Sequence, residues 1–348
     1  MNKKLLFIIL AALVALSACN KAEEKPSPER ETGISEKSRI ENKSFPVSPL
    51  TGLKADQTDH RPIAVVINNH TKARPQSGIS EADVVYEMLA EGNVTRFLAI
   101  FQSHKPKIIG PVRSAREYFV DLSKGYDALL ICHGWSPSAK KKLEAGEADY
   151  LNGLFYDGTL FKRDLSRKAP HNSYISFVNI QKGALEKHFS FVEKVEPLPF
   201  SASAESEGSQ KESAPHVYVQ YSKDDAYNSL YQYDSNKGKY IRSSGGVQTE
   251  DRETHQPITI DNLLIAEMQH KVTDSAGRRE IDLTSGGKGL LFQKGSYRKI
   301  EWKNYNGRIL PYLNNKIVPF VPGKTWINIV PSLEKDILFG QRRIAHAN

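Results

Sequence analysis

Residues 62–67 read PIAVVI, and an uninterrupted apolar run of this length is typical of a strand that is buried on both faces of a sheet. Two further runs of this kind follow, TRFLAIF at residues 95–101 and DALLI at residues 127–131. Helical patterns lie between and after these runs, and such an alternation is typical of layered α/β structure. The sequence therefore predicts an N-terminal α/β domain with a mixed sheet over residues 49–200.

The second half of the chain contains shorter strand-like runs, which are separated by turn residues such as Asn306-Gly307. Short runs with strand character occupy residues 216–222, 231–234, 239–243, 258–268, 289–293, 297–303 and 324–330. This spacing predicts a C-terminal, mainly antiparallel β-domain over residues 216–340. The segment between the two parts, SASAESEGSQKESAP at residues 201–215, has no aliphatic side chain larger than alanine and is interpreted as a linker. The overall class is α+β or α/β.

The N-terminus has the pattern of an export signal. Lys3 and Lys4 precede twelve apolar residues, 5–16, which span about 18 Å as a helix, well short of the roughly 30 Å core of a bilayer. Residues 1–18 are therefore predicted to be a signal peptide. The tetrapeptide at residues 16–19, LSAC, resembles the bacterial lipobox, which predicts that Cys19 is lipidated and begins the mature chain. The alternative is ordinary secretion with a cysteine at that position by chance.

Residues 19–48 are predicted to form a disordered tether behind the lipid. Residues 20–48 contain six basic and six acidic side chains and no apolar periodicity. The predicted location is the cell membrane, by a lipid anchor, on the extracytoplasmic face. Once Cys19 is lipidated only Cys132 remains, so no intrachain disulfide is expected. Cys132 and His133 are neighbours in a predicted strand and point to opposite faces, which favours a buried, inert thiol.

The formal charge of +8 and the pI near 9.2 invite a nucleic-acid interpretation. Two of those charges lie in the signal peptide and the tether is neutral. Residues 49–195 carry 20 basic and 16 acidic side chains and residues 196–348 carry 20 and 18, so the excess is only +4 and +2. No basic stripe with interleaved aromatic residues occurs, so nucleic acid is excluded as a partner. No Walker, GxSxG or GxGxxG motif and no HxxxH or CxxC spacing occurs, so neither a cofactor nor a metal is expected.

Polar chemistry is densest at residues 108–117, IIGPVRSARE. Ser114 followed by Glu117 fits a capping box, which predicts a helix over residues 115–124 with Arg113 and Arg116 at its N-terminus. A second helix start is predicted at Ser136. If the preceding strands are parallel, both starts lie at one edge of the sheet, where open α/β sheets bind ligands. The alternative is that Arg113 pairs with a structural carboxylate.

Two polar loops, residues 68–78 and 161–172, offer further donors suited to phosphate or carboxylate. The predicted ligand-binding residues are Asn69, His70, Arg74, Arg113, Ser114, Arg116, His133, Arg167, His171 and Asn172. Glu87 and Glu91 bracket an extended segment and either pair with these arginines or supply acid-base chemistry. In the catalytic alternative, His133 and His171 act with Glu87 and Glu91.

Five stretches, residues 61–87, 91–101, 109–122, 167–174 and 323–330, resemble the YerB-like lipoproteins of Gram-positive bacteria, and the resemblance extends from residue 49 to about residue 331. It implies a lipoprotein with a two-part domain of unknown function, and it supplies no reaction. The sequence departs from the family pattern at Asn68, where an aspartate is usual, and at residues 132–136, CHGWS, where a His-Ala-Gly-Gly-Ser-like string is usual. The resemblance thus implies that a carboxylate at position 68 is not essential in this member.

Two functions remain after these exclusions. The first is an adaptor that binds an anionic envelope ligand, such as peptidoglycan, a wall polymer or an envelope protein. The second is an envelope hydrolase or transferase that acts on the same ligand. The sequence favours binding over enzymatic activity, because no nucleophile with an obvious base emerges.

Overall fold

The structure, a computed structural model, describes residues 46–55, 58–202 and 211–339. The predicted signal peptide, Cys19 and residues 19–45 of the predicted tether lie outside the described residues, as do residues 203–210 of the predicted linker and residue 340.

Strands account for most of the regular structure. They are β1 Ile63–Asn68, β2 Val84–Glu91, β3 Val94–Phe101, β4 Ile108–Ile109, β5 Leu129–Cys132, β6 Tyr150–Asn152, β7 Phe161–Arg163, β8 Ser173–Ser176, β9 Glu212–Ser213, β10 His216–Val219, β11 Ser229–Asp234 and β12 Lys239–Ser244. They continue with β13 Val247–Gln248, β14 Thr259–Ile260, β15 Asn262–Glu267, β16 His270–Val272, β17 Arg279–Ile281, β18 Gly287–Gln293, β19 Ser296–Tyr305, β20 Arg308–Leu313, β21 Lys316–Ile317, β22 Thr325–Val330 and β23 Ile337–Phe339.

The helices are short. The α-helices are α1 Glu117–Lys124, α2 Pro137–Glu144, α3 Gly153–Tyr156, α4 Phe177–Glu186 and α5 Leu333–Asp336. Single 3-10 turns occur at Thr71–Ala73, Ile79–Glu81 and Asp225–Tyr227. None of the helices in the described ranges combines the length and the apolar character needed to cross a membrane.

The N-terminal part is built on a mixed sheet in the order β2-β3-β1-β5-β6. Strand β1 is antiparallel to β3 and parallel to β5, which is parallel to β6 in turn. The C-terminal part consists mainly of antiparallel pairs, in β15-β18-β19-β20-β21 and in a second sheet ordered β13-β12-β11-β10-β23. The predicted fold class is therefore confirmed.

One strand connects the two parts. Strand β22 lies between β15 and β2 and is parallel to both, so strands from either side of the predicted 201–215 linker share one large sheet. The described residues on the two sides of this linker belong to a single compact unit. The boundary at residues 201–215 stays a prediction, and the parts on its two sides are joined by continuous hydrogen bonding.

The large sheet is covered on both faces, which explains its uninterrupted apolar runs. Val65 and Val66 are adjacent in β1, and because strand neighbours point to opposite faces they enter two different cores. The core around Val65 includes side chains of the second sheet and of α4, whereas the core around Val66 includes side chains of α1 and α2.

The two predicted helix starts have different outcomes. Helix α2 begins as predicted, with Ser136 accepting a hydrogen bond from Ala139 N and proline at the first helical position. The prediction for α1 was wrong at its start. The helix begins at Glu117, and Ser114 does not cap it but donates its hydroxyl to the carbonyl of His133 at 3.1 Å.

Candidate functional site

The segment before α1 enters the sheet between two parallel strands. On one side Asn68 N donates to Pro111 O at 2.9 Å and Arg113 N donates to Val66 O at 2.8 Å. On the other side His133 N, just past the end of β5, donates to Arg113 O at 2.9 Å. Arg113 is thus held from both sides at the carboxyl ends of β1 and β5, the edge at which open α/β sheets bind ligands.

The Arg113 guanidinium lacks a counter-ion within the described residues. The side chain is half-buried, and its buried Nε has no hydrogen-bond partner there. Burial and the positive charge of Arg96 lower the pKa of Arg113 to about 10. A partly buried positive charge without a carboxylate partner lowers the stability of the folded chain. A bound anion offsets this loss.

Two histidines of the predicted set lie beside this cation. The rings of His70 and His171 are 4.5 Å apart, and His171 Nδ1 is 2.9 Å from Asn68 Nδ2. Burial lowers the pKa of both histidines, and the positive charge of Arg113 lowers each further. Both rings are therefore neutral at neutral pH, and a nearby anion would favour their protonation.

His133 is engaged through both ring nitrogens. Its Nε2 is 3.0 Å from Arg163 Nη2, and since a guanidinium only donates, this nitrogen accepts. The proton is thereby assigned to Nδ1, which donates to Ser173 Oγ at 2.7 Å. Ser173 is 1% exposed, so this serine and histidine form a buried structural contact. Burial and the charge of Arg163 lower the pKa of His133.

Glu91 and Arg116 compensate each other instead of facing a ligand. Arg96 Nη2 donates to both oxygens of Glu91 at 2.8 and 2.7 Å, and Arg116 Nη2 forms a second ion pair with Glu91. Arg116 is 3% exposed. The ion-pair interpretation of Glu91 therefore fits the contacts, and Arg116 lies outside the open site.

Glu87 is the centre of a buried polar cluster. It is fully buried, and Arg242 Nη2 donates to its two oxygens at 3.0 and 3.1 Å. The remaining donors to this carboxylate are Asn69 Nδ2, Thr95 Oγ1, Ser229 Oγ, Tyr231 OH and Trp326 Nε1. We call Glu87, Arg242 and these five residues the Glu87 cluster. It connects β2 of the large sheet to β11 and β12 of the second sheet, and no ligand is needed to satisfy it.

Two other predicted arginines stabilise loops. Arg74 Nη2 donates to the carbonyl of Asn69 at 2.8 Å and Arg74 Nη1 to that of Ala226 at 2.6 Å. Arg167 donates to the carbonyl of Ala73 at 2.7 Å. Their donors are used on backbone acceptors, so neither guanidinium is free for an anion in the way that Arg113 is.

Asn172 also acts within its own loop. Its Nδ2 donates to Arg167 O and its Oδ1 accepts from Arg163 Nη1, both at 3.1 Å. The structure thus brings together Arg113, His70 and His171, with His133 on the adjoining strand end. The contacts of Arg163 and Ser173 with His133 and the pairing of Arg242 with Glu87 were not anticipated from the sequence.

The cysteine of β5 is buried and protonated. Cys132 is 0% exposed, and burial raises the pKa of its thiol to about 12. Across the described ranges, no three His, Cys, Asp or Glu side chains are grouped so that they could hold a metal ion.

Comparison with known proteins finds matching family models, a similar sequence and a similar crystal structure. Residues 50–190 match the family model described as "Protein of unknown function (DUF3048) N-terminal domain", and residues 217–327 match the model of the C-terminal domain of the same family. A relative from Bacillus subtilis strain 168, named "Putative lipoprotein YerB", is 54% identical over 290 residues, which are 82% of this chain and 87% of the relative. A crystal structure of the YerB protein from Bacillus subtilis matches with a TM-score of 0.80 and 52% identity, covering 85% of this chain and 100% of that chain.

Proposed function

The chain belongs to the DUF3048 family, whose function is unknown, and on that premise we propose that it is a lipid-anchored, extracytoplasmic adaptor that binds an anionic group of an envelope ligand at Arg113. The anion is a carboxylate or phosphate of peptidoglycan, of a wall polymer or of an envelope protein. The observation that carries this proposal is the half-buried Arg113 guanidinium at the carboxyl edge of the sheet, without a partner among the described residues.

The neighbours of Arg113 support an anion as its ligand. Neutral His70 and His171 lie beside it, and both gain a favourable charge if a bound anion promotes their protonation. The guanidinium also has the planar fork that matches carboxylate and phosphate oxygens.

The same contacts favour binding over acid-base catalysis. His133 has both nitrogens in hydrogen bonds, one of them with a buried serine. Glu87 and Glu91 are held in ion pairs with Arg242, Arg96 and Arg116. Three of the four residues of the catalytic alternative, His133, Glu87 and Glu91, are thus occupied by structural partners.

Membrane anchoring is proposed to depend on Cys19. The lipobox pattern of residues 16–19 and the name of the Bacillus subtilis relative, a putative lipoprotein, both support a lipoprotein. We expect Cys19→Ala to abolish incorporation of labelled palmitate and to release the protein from the membrane fraction, because the thiol is the acceptor of the lipid. Cys132→Ala is the matched control and should leave both unchanged. Retention of Cys19→Ala with the membrane at the wild-type level would contradict the lipid anchor.

Anion binding is tested at Arg113 in the full-length protein in detergent micelles. Arg113→Ala should weaken binding of inorganic phosphate, followed by phosphorus NMR, by about 10- to 100-fold, since hydrogen bonds to charged groups contribute about 1.5–3 kcal/mol. The phosphate affinity of Arg113→Lys should lie between those of the wild type and Arg113→Ala, because lysine keeps the positive charge but lacks the two parallel N–H donors of the guanidinium.

Arg278→Ala is the control for this experiment. It removes the same charge from an arginine that pairs with Asp274 beside the β16–β17 hairpin, and should leave phosphate affinity unchanged. Equal affinity of Arg113→Ala and the wild type would contradict the proposal.

A further inference from the structure

A cleft of approximately 530 Å³ lies between the loop that follows β1 and the β12–β13 hairpin. This volume is within the range of roughly 300–1,000 Å³ that is typical of ligand pockets. Most of the lining side chains are small or uncharged: Thr71, Pro75, Gln76, Ala226, Ser244, Gly245, Val247, Gln248 and Thr249, with Arg74 and Glu250. Arg74 is bound to backbone carbonyls, so the cleft offers no free cation of the kind found at Arg113.

One wall of the cleft is the edge of a sheet. Strand β13, Val247–Gln248, ends the strand order of the second sheet, and both of its residues are exposed. Thr249, the residue that follows β13, donates its N–H to the carbonyl oxygen of Arg242 in the neighbouring strand β12. Because hydrogen-bonded and non-bonded pairs alternate in antiparallel strands, the pair Ser243–Gln248 is of the non-bonded kind. The N–H and C=O of Gln248 therefore point away from β12, toward the open edge.

The opposite wall holds an unused acceptor. Gln76 is 0% exposed, and its Nε2 donates to Asn68 O and Asn69 Oδ1, both at 3.1 Å. Its Oε1 has no partner among the described residues. Because Gln76 is fully buried, this oxygen is closed off from a ligand in the cleft, and Gln76 contributes only to the cleft wall.

We propose that this cleft binds a short, extended peptide segment whose main chain pairs with the free edge of β13 at Gln248. Peptides commonly bind by adding a strand to an exposed sheet edge, where main-chain hydrogen bonds provide affinity. Pro75, Ala226 and Val247 supply an apolar surface in the cleft beside this edge. Arg113, His70 and His171 are not among the lining residues of this cleft, and the proposal goes beyond the proposed function.

The test uses full-length protein in detergent micelles and the capped peptide N-acetyl-Ala-Ala-Ala-amide, with binding measured by calorimetry. Gln248→Pro removes the N–H that faces the open edge and should weaken binding at least about tenfold, the loss expected for one or two hydrogen bonds. Gln248→Ala keeps that N–H and should bind like the wild type.

A modified ligand keeps the test decisive if Gln248→Pro does not fold. The peptide with N-methylated alanines has no alanine N–H to donate and should bind at least about tenfold more weakly to unaltered protein. The proposal is overturned if the two peptides bind equally, if N-acetyl-Ala-Ala-Ala-amide does not bind at millimolar concentration, or if a folded Gln248→Pro binds like Gln248→Ala. Loss of phosphate binding in Arg113→Ala with unchanged peptide affinity would support two separate sites.

Discussion

Replacing Arg242 with methionine should lower the free energy of unfolding by about 3–5 kcal/mol, because the substitution leaves the Glu87 carboxylate buried without its counter-ion. Both side chains are 0% exposed, so water cannot replace the lost partner. Arg242 also donates to Thr249 Oγ1 at 2.7 Å and Ser229 Oγ at 2.8 Å, and these hydroxyls lose a donor as well. Equilibrium unfolding in urea, followed by circular dichroism, measures the change.

Two comparisons separate this effect from a general loss of charge. The double variant Glu87→Leu/Arg242→Met should be destabilised by less than the sum of the two single variants, since neither charge is then left alone. Lys124→Met removes an exposed pair with Glu147 and should cost no more than about 1 kcal/mol. An Arg242→Met variant within 1 kcal/mol of the wild type would contradict the role given to the Glu87 cluster.

Truncation of Trp302 to alanine should cost about 3–5 kcal/mol, the usual range for a buried tryptophan. The side chain is 0% exposed, lies in β19, and donates from Nε1 to Glu267 O at 2.7 Å. Because β22 joins β15 to β2, we expect the variant to unfold in one transition, with both parts losing stability together.

The control for Trp302 is Trp135→Ala. Trp135 is half-buried and contacts the rings of Tyr150 and Phe155, so its removal should cost clearly less. If Trp302→Ala instead separates the unfolding curve into two transitions and leaves the first part unaffected, the two parts fold independently and the shared sheet adds little stability.

The strands were predictable because burial on both faces leaves a continuous apolar run. Strands β1 and β3 each begin within one residue of the predicted position. An apolar run shows that a strand is buried, but it does not specify which other strand pairs with it. The run at residues 324–330 indicates a buried strand, but nothing in it specifies that β22 lies beside β2, more than two hundred residues earlier.

The candidate site was predictable in part. His70 and His171 were expected at one site, and their rings are in contact. Arg113 and Arg116 were expected to flank one helix start, yet α1 begins only at Glu117. Arg116 precedes it in extended conformation and pairs with Glu91, whereas Arg113 has no counter-ion among the described residues. Residue type shows what a side chain can bind, whereas the local backbone decides which acceptor it reaches.

The sequence of β12 contains a pattern that indicates the buried ion pair of the Glu87 cluster. In β12 every second residue is buried, and the buried positions are Tyr240, Arg242 and Ser244. A charged residue on the inward face of an alternating strand requires a partner, because an unpaired buried charge is very costly. Glu87, in the apolar run of β2, is the matching acid, and the pairing of the two follows from this requirement.

The position of β22 has a consequence for how the chain matures. During synthesis β2 is made early, but its neighbour on one side, residues 325–330, emerges only after nearly all of the chain. Until then β2 presents an open edge, which is prone to pair with other chains. Folding of the first part is therefore coupled to completion of β22, a high-contact-order topology that folds slowly. The large sheet of this chain therefore closes only once β22 has been made.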